Sequence, residues 1–111
     1  MSRQQSKRGK IAYDLDADLL VCVVEDYDRT ASEVYINPDE GLTVNDLYQE
    51  CEPNDSVVGV VYLEELDSED FEIGRDDALK MNKGQRFDYL FHSDVDIISV
   101  PESQLRFRNQ I

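Results

Sequence analysis

Ile11-Ala12-Tyr13-Asp14-Leu15-Asp16-Ala17-Asp18-Leu19-Leu20-Val21-Cys22-Val23-Val24 reads as two β-strands joined by an acidic connection, and its reading decides the fold. Ile11, Tyr13 and Leu15 alternate with Ala12, Asp14 and Asp16, the two-residue period of a half-buried strand. Leu19–Val24 is continuously apolar and rich in β-branched residues, as a central strand is. Residues 25–32 form a polar connection. Val34 and Ile36 then alternate with Glu33, Tyr35 and Asn37 in a third strand. The short separations predict an antiparallel meander of the three.

Past the turn Pro38-Asp39-Glu40-Gly41, Thr43 stands three residues before Asp46, a shortened capping box. Val44, Leu47, Tyr48 and Cys51 fall at i, i+3, i+4 and i+7, the inward face of a helix that Pro53 stops. Val57–Leu63 is a second buried strand, in which Gly59 marks a bulge or a close backbone approach. Glu64–Glu72 is a solvated acidic connection. Arg75–Lys83, ending at Gly84, is expected to be a short second helix. Strands follow at Phe87–Phe91 and Ile97–Val100, with one helical turn over Pro101–Leu105. About six short strands and two short helices make a single α+β domain over residues 11–111, with residues 1–10 as a flexible basic tail.

The chain has 111 residues, 25 acidic and 11 basic, for a formal charge of −14. An apolar content of 41% supports one modest core and excludes a wholly disordered acidic chain. The charge is unevenly spread. Residues 1–10 carry Arg3, Lys7, Arg8 and Lys10 and no acid, and residues 75–111 hold six acids and six bases. Residues 11–74 hold nineteen acids against Arg29 alone, a charge of −18. These carboxylates interleave with the strand-building apolar residues, so they decorate a folded surface instead of forming an acidic tail.

Two accounts of that surface compete. A field of this sign steers a basic partner, with association that weakens as salt rises. Alternatively it serves solvation: Asp outnumbers Glu 15 to 10 and Arg outnumbers Lys 7 to 4, a composition favoured by halophiles. At about 1 M salt, with a Debye length of about 3 Å, the self-repulsion of such a surface is screened.

Asp14, Asp16 and Asp18 are the first candidate contacts. Same-face strand residues lie roughly 6.6 Å apart, so the three are expected to form a regular row of anions. Glu64, Glu65, Asp67, Glu69, Asp70 and Glu72 extend it. The expected function is a non-enzymatic interaction or regulatory protein that meets a basic protein surface, or more sharply a nucleic-acid mimic. Direct nucleic-acid binding by the folded body is disfavoured, because phosphate neutralisation needs Lys and Arg.

Other chemistry is weakly supported. Counted from Asp14 as position 1 of an EF-hand loop, Glu25 occupies position 12, but Leu19 replaces the glycine of position 6. Cys22 and Cys51 stand in apolar settings, without the pairing of a zinc site, and read as core thiols. His92, the only histidine, lacks a nucleophile elbow to serve. Five scattered glycines give no phosphate-binding loop. No catalytic residue, metal ligand or cofactor is assigned. The apolar runs fall far short of the ~20 residues of a membrane span. The basic opening lacks a signal-peptide apolar region, and two cysteines make no disulfide framework. A soluble cytoplasmic protein is expected.

Overall fold

β1 (Ile11–Asp14) turns back through residues 15–18 into β2 (Leu19–Thr30), forming the expected antiparallel hairpin. The computed structural model describes residues 7–48, 50–68 and 71–107. β5 (Ser56–Tyr62) lies on the other side of β2, and β6 (Ile98–Pro101) and β7 (Leu105–Phe107) form the edges. The sheet is antiparallel throughout, in the order β6-β5-β2-β1-β7.

The third predicted strand leaves this sheet. β3 (Tyr35–Asn37) pairs with β4 (Leu42–Thr43) as a separate two-stranded unit, across the turn at Pro38–Glu40. The place beside β2 falls to β5 because its run of valines is apolar on both faces, as a strand covered on both sides must be. Tyr35 and Ile36 are exposed instead.

Strand alternation sorts the core into two layers. Cys22, Val24 and Val61 join Ile11, Leu63, Leu66, Ala78 and Leu90 on one face. Val21, Val23, Val58 and Val60 join Ala12, Val100 and Leu105 on the other. A third cluster of Ala31, Val44 and Val57 anchors the β3–β4 unit. Gly59 behaves as its context predicts. It lies opposite Glu25, beside a register shift between Val23 and Glu25. A Cβ there would come within 2.8 Å of the Tyr27 hydroxyl and 2.9 Å of Ile97.

The capping box at α1 (Val44–Leu47) forms: the Asp46 N–H donates to Thr43 Oγ1 at 3.2 Å, and the Thr43 N–H to Asp46 Oδ2 at 3.0 Å. The helix stops after one turn, however, and its expected inward face does not extend to Cys51. Such a short helix has little stability of its own, and the Tyr48 ring packs between two core clusters. Val44 is buried, but Leu47 is 52% exposed.

α2 (Arg75–Lys80) is followed by α3 (Lys83–Phe91), so the strand expected at Phe87–Phe91 is helical and Gly84 opens a helix instead of ending one. The alternating aromatics of Phe87, Tyr89 and Phe91 mimic a strand. A capping box overrides them: the Gln85 N–H donates to Asn82 Oδ1 at 2.8 Å, and the Asn82 N–H to Gln85 Oε1 at 3.2 Å. Arg86 and Leu90 then fall four residues apart on the buried face. The turn at Glu102–Gln104 forms as expected.

The domain begins before residue 11. The Gly9 N–H donates to the Val23 carbonyl at 2.6 Å, and the Val23 N–H to that of Lys10 at 3.0 Å. Gly9 is required by its φ of 86° and by the Lys83 carbonyl, which a side chain would strike. Lys7 pairs with Glu102 and Arg8 with Glu25. Residues 7–10 of the expected tail are therefore part of the folded body, and residues 1–6 lie outside the described residues.

Candidate interaction surface

Asp14, expected on an exposed anionic row, is 1% exposed. It ends β1 and organises the turn that follows. Oδ1 accepts from the N–H groups of Asp16 at 2.9 Å and Ala17 at 3.1 Å, while Oδ2 accepts from the Tyr62 hydroxyl at 2.7 Å. Asp16 and Asp18 are exposed, but they lie in the turn, and Asp18 adopts a left-handed φ of 63°. Strand spacing does not apply to them, so the regular row expected for nucleic-acid mimicry does not form.

The register nevertheless gathers other candidates. Val21 lies opposite Tyr62, so β5 leaves the sheet at the end where the β1–β2 turn closes. The 3₁₀ turn Leu63–Asp67 starts there. Its Leu63 and Leu66 are buried, which turns Glu64, Glu65 and Asp67 outward. Asp16, Asp18, Glu64 and Glu65 thus crown one end of the sheet. Asp67 Oδ1 accepts from the Arg75 N–H at 3.3 Å and helps to start α2. Glu69 and Asp70 lie outside the described residues. Glu72 is exposed on a separate cavity of about 620 Å³ beside Tyr89 and His92.

Asp16 also lines a cavity of about 410 Å³ with Leu47, Tyr48, Glu50 and Gln104. Burial first, then the nearby Asp14 and Asp16 charges, raise the Tyr48 hydroxyl pKa above its ordinary value. Burial and the hydrogen bond to Asp14 push Tyr62 up more strongly. Both phenols stay protonated under any physiological condition, and the Tyr62 hydroxyl donates to Asp14.

On the far side of Leu47 lies a groove of about 200 Å³ lined by Tyr35, Ile36, Leu47, Ile97, Ile98 and Ser99. Sequence periodicity placed Ile36 and Leu47 inward, so this apolar surface was not expected. Adjacent apolar residues Tyr35-Ile36 and Ile97-Ile98 are its one signal, since a half-buried strand exposes one of such a pair.

Scans against protein families, characterised proteins and solved structures find no match to this chain.

His92 caps the C-terminus of α3, with Nδ1 2.9 Å from the Asp88 carbonyl oxygen. Among the described residues, no three potential metal ligands cluster, and no helix is long and apolar enough to cross a membrane. Both cysteines are free. Cys51 is partly buried, and its thiol donates to Asn45 Oδ1 at 3.7 Å.

Cys22 is fully buried, and burial raises its thiol pKa from 9.0 to about 11 despite the opposing Arg86 charge. The unfolded chain therefore loses this proton first as pH rises. Stability is full below pH 9 and falls toward pH 11, with roughly 2 kcal/mol lost by then. Urea unfolding at pH 8, 9.5 and 11 should show this fall, and Cys22→Ala should flatten its onset below pH 10. An unchanged slope in Cys22→Ala would remove the thiol as its source.

Proposed function

We propose that this chain is a non-enzymatic interaction protein that meets a basic protein surface through the acidic end of its main sheet. The observation that carries the reading is that the register brings Asp16, Asp18, Glu64 and Glu65, four exposed carboxylates from two separate segments, to one end of the main sheet. A fixed cluster of like charge costs self-repulsion in the free protein, and a cationic partner relieves it while gaining a steered encounter.

Binding of a fluorescent decalysine peptide, titrated at several salt concentrations, tests this. Asp16→Asn, Asp18→Asn and Glu64→Gln combined should weaken binding about tenfold and lower its salt dependence. The same change in charge at Asp28, Glu52 and Asp88 should do much less. Equal losses from both sets would replace a defined face with the effect of net charge alone.

A further inference from the structure

We propose that the groove between β6, β3 and α1 docks an extended apolar segment of a partner protein, flanked by Lys or Arg. The groove is unusual in this molecule. Tyr35 and Leu47, among its lining residues, are 55% and 52% exposed, and Ile36, Ile97 and Ile98 are each more than a third exposed. Isolated exposed apolar residues need no explanation, but these converge in a concave patch. The volume of about 200 Å³ has room for a small number of aliphatic side chains.

Charge selects the occupant. No Lys or Arg lies between Thr30 and Gly74 or between Phe87 and Leu105, the stretches that supply every lining residue. Those same segments place exposed Asp39, Glu40, Asp46, Glu50, Asp94 and Asp96 near the lining residues in sequence. An apolar centre with an anionic surround complements an apolar segment bounded by cations, the arrangement of a buried anchor with a charged rim. A second copy of this chain, carrying −14 itself, is opposed by the same field. An extended partner is favoured because β6 is an edge strand with β5 as its neighbour in the sheet. Main-chain pairing along such an edge adds affinity, and alternate side chains reach the groove.

This inference rests on the reading of the acidic surface as the contact with a basic partner, and adds what that partner carries between its cations. Two peptides of equal charge separate the claims: one with Val-Ile-Leu between lysines, the other with Ser-Ser-Ser. The apolar peptide should bind the wild-type protein about tenfold more tightly. Ile36→Ser combined with Leu47→Ser, both exposed positions, should abolish that preference and leave the serine peptide's affinity unchanged, with circular dichroism confirming the fold. Equal binding of the two peptides to wild type overturns the groove while leaving the acidic face standing. Binding of neither overturns both. Equally tight binding of a Val-Ile-Leu peptide flanked by glutamates, or a dimer dissolved by Leu47→Ser, overturns the choice of a cationic occupant.

Discussion

Arg86→Ala is expected to lower stability by roughly 4–5 kcal/mol, a large share of the ~5–15 kcal/mol that a domain possesses. Arg86 is 3% exposed on the inner face of α3, an uncommon position for a permanently charged group. Its guanidinium donates from Nε to the Gly9 carbonyl at 2.7 Å and from Nη1 to those of Ala78 at 3.1 Å and Met81 at 2.7 Å. Ala78 lies in the last turn of α2 and Met81 is its C-cap, where carbonyls carry the negative end of the helix dipole. The Ala78 carbonyl also accepts from the Met81 N–H at 3.2 Å. One side chain thus joins the segment at Gly9, the end of α2 and the start of α3. Truncation takes the guanidinium from the Gly9 and Met81 carbonyls, leaves the Ala78 carbonyl with the Met81 N–H alone, and opens a cavity. Arg86→Lys keeps the charge but loses the planar fork, so it should recover less than half the deficit. Urea unfolding measures the loss, and hydrogen exchange at Val23, whose N–H bonds to Lys10, should report early release of residues 7–10. A loss below about 1 kcal/mol in Arg86→Ala would mean that those carbonyls find other donors.

The same residue shows where sequence reasoning stops. The β1–β2 hairpin was legible because Ile11–Asp14 and Leu19–Val24 satisfy both period and propensity. The Thr43–Asp46 capping box, the buried run at Val57–Leu63 and the turn after Pro101 were legible for similarly local reasons. The residues Phe87–Phe91 were not, because period-two aromatics and a four-residue Arg86–Leu90 spacing overlap. The Asn82–Gln85 box decides between them. β7 has three residues, too few to leave a pattern. The partner of β2 was a long-range choice between a solvent-facing β3 and a valine-rich β5, settled by which strand tolerates cover on both faces. Of the candidate contacts, Asp16, Asp18, Glu64, Glu65, Asp67 and Glu72 are exposed as their polarity predicts. The inward turn of Asp14 depends on a tyrosine 48 residues away and no local pattern contains it.

That inward turn makes the three aspartates of the hairpin separable by experiment. Asp14→Ala is expected to destabilise by roughly 3–4 kcal/mol, since it strips a buried acceptor from three donors at once. Asp14→Asn should cost only about 1–2 kcal/mol. Its amide oxygen can still accept from the Asp16 and Ala17 N–H groups, and its NH₂ can donate to the Tyr62 oxygen with the hydroxyl proton turned away. Asp14→Asn should also bring the Tyr62 hydroxyl back toward its ordinary value, because the Asp14 hydrogen bond and charge both hold it up. Absorbance titration of the phenols against a Tyr62→Phe control reads this directly. Asp16→Asn and Asp18→Asn should leave stability within about 0.5 kcal/mol, as exposed substitutions do. Asn also tolerates the left-handed backbone of residue 18. If Asp14→Ala proved as mild as those two, the carboxylate would be a surface charge after all, and the turn would need another anchor.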